Sequence, residues 1–362
     1  MPNEQLSTLQ IAGRRIGAGE PPWIVAEMSA NHGGQLRRAA RIVEAAAAAG
    51  ADAVKLQTYT ADEMTLDCDR SCFHIEGTVW AGRTLHALYR EAAMPRPWHP
   101  ELKRLAEKLG IVLFSTPFSP AAVDFLEELP VPAYKIASFE LVDLPLLRRV
   151  AGTGKPVILS TGMATRAEID EAVGTLRTAG CRQLALLKCT SAYPAAPEKM
   201  NLRAISHLRE TFSVPVGLSD HSLDGAVPVA AVACGACIIE KHLTLSRADG
   251  GPDAAFSLQP EEFAKMVRAV HAAHAALGSV RYGADDEEAA AVRLRRSLFV
   301  VEDVAAGEPF TAENVRCIRP GDGLHPRELE AVLGRTARED VSRGTPLQRQ
   351  HVNDEARMTN DE

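Results

Sequence analysis

Residues 215–245 read PVGLSDHSLDGAVPVAAVACGACIIEKHLTL. Two short apolar runs, 215–221 and 237–245, each give way to polar residues, and the Ala/Val-rich stretch between them breaks at Gly235. That pattern is a strand, a buried helix and a second strand, and such a unit crosses over right-handed to make a parallel pair. Moving outward, the same alternation recurs along the chain. The other strand candidates are WIVAEMS (23–29), DAVKLQTY (52–59), IVLFSTPF (111–118), AYKIASFE (133–140), PVILSTG (156–162) and LALLKCTSAY (184–193). Helical segments such as QLRRAARIVEAAAAAG and RAEIDEAVGTLRTAG lie between them and close on glycine, as helix C-termini do. Eight units in about 250 residues specify a (β/α)8 barrel. An open doubly wound sheet is the runner-up, but no G-x-G-x-x-G follows the first strand.

The segment PEEFAKMVRAVHAAHAALG (260–278) serves as the eighth helix. The barrel is expected over 1–280, a polar linker over 281–295, and a small β-rich module with Gly/Pro turns over 296–355. At 362 residues the chain exceeds one ordinary core, and a module of roughly sixty residues is marginal alone. The net charge of −7 excludes general attraction to nucleic acid or to an anionic membrane, so an anionic ligand needs a local cluster of lysines. The longest apolar stretch, 226–239, is too short to span a bilayer and is broken by Pro228 and Gly235. The first fifteen residues hold no apolar leader, and seven cysteines, an odd number, suit a reducing cytoplasm rather than a disulfide framework. Cys234 and Cys237 match C-x-x-C without a second pair nearby, so redox or zinc chemistry is disfavoured there.

In a barrel of this kind chemistry gathers at the C-terminal strand ends. Those ends carry Glu27, Lys55, Gln57, Thr116, Lys135, Ser138, Glu140, Ser160, Lys188, Ser191, Ser219, His221, Glu240 and His242. His221 and His242 end adjacent strands, which lie about 4.8 Å apart. One divalent cation can bridge such imidazoles, with water and a substrate oxygen filling the remaining positions. Hydrogen-bonded core histidines are the competing reading. Glu240, two residues before His242, shares its face and is placed to hold a metal-bound water. Lys55, Lys135 and Lys188, with hydroxyls from several strands, suit a phosphate and a carboxylate, because an inward lysine is costly without an anion. A Schiff-base aldolase with one lysine as nucleophile is the functional alternative. His271 and His274 have helical spacing on the last helix and read as a solvated face, whereas His32 either touches ligand or caps its turn.

The stretches AEMSANH, GADAVKLQTYT, FSTPFS, YKIASFE, LSTGMA, LLKCTSAYP, GLSDH, IIEKHLTL and GGPDAAFSL, in that order, resemble the sialic acid synthase family from about residue 20 to about 350. That family joins a (β/α)8 barrel to a C-terminal antifreeze-like (SAF) domain. AEMSANH departs from the AE-x-G-x-NHNG form of the neuraminate and legionaminate branches. That departure and the wording around FHIEG and IRPG point to members acting on 2,4-diacetamido-2,4,6-trideoxy-altrose. The resemblance implies a metal-dependent condensation in which C3 of phosphoenolpyruvate (PEP) attacks the open-chain aldehyde, water adds to C2, and phosphate leaves by C–O cleavage. It implies metal at His221 and His242, chosen among Mn2+, Mg2+ and Co2+, polarising the aldehyde oxygen, with Glu27 and Glu240 as acids beside the reacting oxygens. Lys55, Thr116, Lys135, Ser138, Ser160, Ser191 and Ser219 match the PEP-binding set. Gln57, Glu140, Tyr193 and Asp253 match sugar contacts. Arg319 matches an arginine that the SAF domain inserts into the partner subunit's site, which implies a domain-swapped homodimer. Ser191 replaces an asparagine usual in neuraminate synthases, so that contact is shorter or water-mediated.

Overall fold

Eight parallel strands close into a barrel in the computed structural model, which describes residues 8–353. They are β1 (Trp23–Glu27), β2 (Ala53–Thr58), β3 (Val112–Pro117), β4 (Tyr134–Ile136), β5 (Val157–Ser160), β6 (Leu184–Cys189), β7 (Val216–Asp220) and β8 (Ile238–His242). They pair in sequence order, and β8 closes the ring by pairing with β1 in the register His242 opposite Glu27. Each strand is followed by a helix that packs outside it: α1 (Leu36–Ala48), α2 (Trp98–Lys108), α3 (Pro120–Glu128), α4 (Leu144–Ala151), α5 (Arg166–Thr178), α6 (Ala204–Phe212), α7 (Ala226–Ala233) and α8 (Pro260–Leu277). Side-chain caps start several of them, including the reciprocal Thr165–Glu168 box of α5.

The strands start within a residue of expectation and end earlier. Residues 133–140 contain only the three-residue β4, because Phe139–Val142 coils into a 3-10 turn. The polar tips read as strand ends are therefore the first residues of loops, free to aim side chains across the mouth. Alternation separates two packing layers. Outward residues such as Ile24, Leu56, Leu113, Leu159, Leu186 and Leu218 join the helices in one core. Inward residues Trp23, Val25, Phe114, Ile158, Leu187 and Ile238 fill the lower barrel. A hairpin of Leu9–Ile11 and Arg14–Ile16 inserts Leu9, Ile11 and Ile16 into that lower layer. Arg14 pairs with Asp52, whose second oxygen accepts from the Ile24 amide at 2.8 Å, tying the plug to β1. The floor is thus sealed by apolar packing, leaving polar side chains at the opposite end.

The chain divides after Gly278. The second unit has its own core of Leu298, Val300, Val304, Phe310, Val315 and Leu347. Among the described residues its single regular ladder joins β9 (Ser297–Val300) to β10 (Val315–Ile318), antiparallel. The remaining contacts are isolated bridges between turns, so the expected β-rich module carries less regular strand than its composition suggests. The expected linker contains a short exposed helix, Ala289–Val292. The reading of residues 1–7 and the module limit at 355 lie outside the described residues. Among the described residues no helix is long and apolar enough to cross a membrane.

Candidate active site

The inward residues at the C-terminal strand ends line a cavity of about 450 Å³. On its walls are Glu27, Lys55, Gln57, Lys135, Ser138, Glu140, Ser160, Tyr193, Ser219, His221, Glu240, His242 and Asp253. Thr116, which is buried, and Ser191, which is half-buried, are not on these walls. Thr116 Oγ1 accepts from Lys55 Nζ at 3.1 Å, and Ser191 Oγ lies 4.0 Å from Cys189 Sγ. Arg319 belongs to the second unit, where it is exposed. Lys188 does not join the cavity lysines. Leu187 and Cys189 occupy the inward positions of β6, so Lys188 faces the opposite side and donates to Thr190 Oγ1 at 3.3 Å. Strand alternation overrides the expectation of an inward lysine.

The charged floor is a connected network. Lys55 Nζ lies 2.6 Å from Glu27 Oε2 and 3.7 Å from Glu240 Oε1, and Lys135 Nζ lies 3.7 Å from the same Glu240 oxygen. Lys135 donates to Ser160 Oγ at 2.7 Å, and Ser219 Oγ donates to Glu240 Oε1 at 3.0 Å. Burial disfavours every charge here, so each group's state depends on its partners. For Glu27 burial outweighs the attraction of Lys55 and raises the pKa. For Glu240 burial is overcome by Lys135 and Lys55, and its pKa falls. Burial likewise loses to Glu240 and Glu27 at Lys55, which is raised, and wins at Lys135, which is lowered. Two buried lysines share this floor with two carboxylates, and the lysines are the groups able to meet an anion.

Beside it lie the two histidines, ring centroids 5.3 Å apart. His221 Nδ1 donates to the Thr190 carbonyl at 3.0 Å, which fixes its tautomer and leaves Nε2 to the cavity. His242 Nδ1 is buried without a hydrogen-bond partner, and burial holds this ring's pKa well below its ordinary value. A neutral imidazole with an orphaned nitrogen beside a second oriented imidazole fits a divalent cation. Among the described residues no three His, Cys, Asp or Glu side chains converge on one point, so water and substrate would supply the other ligands. His32 Nδ1 accepts from the Gly34 amide at 3.0 Å and lies outside the cavity: it caps its turn.

Sequence reasoning missed several site residues. Cys189 faces the cavity 3.9 Å from His221 Nδ1. Burial opposes its thiolate, but His221 brings the pKa down to about 7. Gly162 has φ +33°, and a β-carbon there would stand 2.4 Å from Ser138 Cβ and 2.7 Å from Ser191 Oγ, so only glycine lets these loops meet. Trp80 comes from the long β2–α2 connection, whose orientation the sequence leaves open. Its indole donates to the Pro252 carbonyl at 2.8 Å and packs 5.5 Å from Tyr193. Tyr59, Met64, Leu88 and Tyr89 from the same region give the cavity an apolar side. Ser29 is buried at φ +49° and donates to Asp253. Of these, Ser29 left a signal as the departure in AEMSANH, and Met64 and Trp80 lie in the stretch around FHIEG that carries the resemblance.

Comparison with known proteins places this geometry. The chain matches the NeuB family over residues 42–282 and the SAF domain over 295–353. It is 44% identical to the pseudaminic acid synthase of Campylobacter jejuni strain 81-176, covering 90% of this chain and 95% of that protein. It is 35% identical to the N,N'-diacetyllegionaminic acid synthase of Legionella pneumophila, covering 93% and 96%. Among solved structures, the N-acetylneuraminic acid synthetase of Leptospira borgpetersenii, determined with citrate, superposes with a TM-score of 0.71 at 33% identity over 79% of this chain and 95% of that one.

Proposed function

The chain belongs to the NeuB family, with a SAF domain after its barrel, and on that premise we propose that it condenses PEP with 2,4-diacetamido-2,4,6-trideoxy-L-altrose to give pseudaminic acid and phosphate. The observation that carries this reading is one cavity holding buried Lys55 and Lys135, the Glu27–Glu240 pair and the two histidines. The higher identity to a pseudaminic acid synthase than to a diacetyllegionaminic acid synthase favours the altrose-type sugar.

Lys55 and Lys135 hold the carboxylate and phosphate of PEP, with hydroxyls of Ser138, Ser160 and Ser219 completing the shell and Thr116 and Ser191 supporting it. Gln57, Glu140, Tyr193 and Asp253 orient the sugar so that its aldehyde carbon meets C3 of PEP. The new C–C bond leaves negative charge on the sugar oxygen and positive charge at C2. Water adds to C2, the C2–O bond to phosphorus breaks, and C2 becomes a ketone. Water gives up two protons in all: Glu27 and Glu240 relay one to the sugar oxygen, and the other leaves the C2 hydroxyl for the departing phosphate as the ketone forms. His221 and His242 would hold a divalent cation, Mn2+ first and Mg2+ or Co2+ as alternatives, which supplies Lewis-acid stabilisation of the charge on the aldehyde oxygen. Arg319 of a second copy completes the site in a homodimer. The exposed apolar side chains of Phe139, Val142, Met163 and Leu223, on the loops after β4, β5 and β7, support a covering partner.

A Schiff-base aldolase is favoured by one observation, the lowered pKa of buried Lys135. One assay separates the readings. The protein is incubated with PEP and, in turn, the altrose-type sugar, its mannose-type diacetamido isomer and N-acetylmannosamine, following phosphate release and product mass. Fastest turnover of the altrose-type sugar, loss of activity in EDTA and recovery with Mn2+ are expected. Activity that survives EDTA, with protein trapped by borohydride and a keto acid, would establish the aldolase instead.

A further inference from the structure

We propose that Ser29 sets the sugar specificity of this cavity by fixing the hydrogen-bond polarity of Gln57 and Asp253. The inference rests on the proposed function, since it takes those two residues as the sugar's contacts. Ser29 follows β1 in a left-handed backbone conformation, φ +49°. Four non-glycine residues among those described have positive φ, Ala12, Ser29, Asn201 and Ser213, and of these Ser29 alone lines the cavity. Glycine takes that conformation without strain, so a side chain kept there against the backbone's preference points to a role for the side chain.

The role is visible in its contacts. Ser29 Oγ donates to Asp253 Oδ2, which also accepts from the Ala30 amide at 3.1 Å. The same hydroxyl accepts from Gln57 Nε2 at 3.2 Å, and that nitrogen gives its other hydrogen to Glu27 Oε1 at 2.9 Å. Both amide hydrogens of Gln57 are therefore spent inside the protein, as is one oxygen of Asp253. What remains for a ligand is Gln57 Oε1 and Asp253 Oδ1, two acceptors. At these two positions the protein offers only acceptors, which selects a sugar presenting N–H or O–H donors there, and two acetamido groups bring two amide N–H donors. Removing the hydroxyl frees Asp253 to turn and releases one Gln57 hydrogen, so the fixed pattern is lost while the charged PEP floor is untouched.

The test compares Ser29→Ala, which removes the hydroxyl and keeps a side chain, with Ser29→Gly, which also relieves the backbone. Full-length variants are assayed with PEP and each of the altrose-type diacetamido sugar, its mannose-type isomer and N-acetylmannosamine, alongside thermal unfolding. Both variants are expected to raise KM for the altrose-type sugar at least tenfold and to narrow its advantage over N-acetylmannosamine. KM for PEP stays at the parental value, and Ser29→Gly unfolds no lower than the parent. Parental sugar KM in both variants would overturn the proposal. So would an effect in Ser29→Ala that Ser29→Gly restores, because the backbone rather than the hydroxyl would then be responsible. Failure of the parent protein to consume PEP with any of the sugars would instead defeat the proposed function, a result visible before either variant is made.

Discussion

His99 shows how single side chains behind the cavity tie function to stability. It is fully buried, with Nε2 2.8 Å from Thr58 Oγ1, and Thr58 in turn lies 2.7 Å from Ser115 Oγ. Burial lowers its pKa from 6.5 to about 4, and His32 is lowered to about 4 for the same reason. The folded protein keeps both rings neutral where the unfolded chain has begun to bind protons. Unfolding therefore takes up protons, and the stability these rings allow is lost as pH falls from about 6.5 toward 4. Thermal unfolding of the parent should weaken steadily over that window, while His99→Gln should show a pH slope shallower by nearly one proton. Equal slopes would mean that His99 titrates normally in the folded state.

Between β7 and β8 the outward positions next to the histidines are charged where apolar residues are usual. Asp220 and Lys241 are register partners, have no exposed side-chain surface, and meet at 2.6 Å. Asp220 Oδ1 also accepts from the Ser222 amide at 2.8 Å, and Lys241 donates to the Ser222 carbonyl, pinning the chain where it leaves His221. Lys241→Met strands a buried carboxylate and should cost about 3–5 kcal/mol in urea unfolding. Replacing both, Asp220→Leu with Lys241→Met, should recover most of that loss. A double variant as unstable as the single one would show that the pair's cost lies elsewhere. Element scale is also where the sequence was most and least readable. Period-two alternation places Glu240 with His242 because both lie within regular strand, and both line the cavity. The same rule correctly applied at Leu187 and Cys189 would have turned Lys188 outward; a chemical preference for lysine obscured a geometric parity. The short β4, the left-handed Ser29 and the close approach at Gly162 depend on backbone angles set by neighbouring loops, which no residue pattern displays. Trp80 was beyond reach because a long connection's orientation is fixed only by what it packs against.

At the scale of the molecule, a chain of net charge −7 buries two lysines beside two carboxylates inside a barrel sealed from below by its own N-terminal hairpin. The seal matters because interactions with an anion strengthen when water is excluded, which favours the proposed binding of PEP by these lysines against the protein's overall charge. The two histidines line the same cavity as the lysines, their ring centroids 5.3 Å apart. The proposed condensation joins C3 of PEP to the aldehyde and makes C2, rather than phosphorus, the site of water addition. The proposed condensation is decided by the fate of one oxygen atom. PEP carrying 18O in its bridging C2–O position is turned over with the altrose-type sugar and Mn2+, and the products are weighed. All of the label is expected in phosphate and none in the nine-carbon acid; label retained at C2 of that acid would show attack at phosphorus and rule the condensation out.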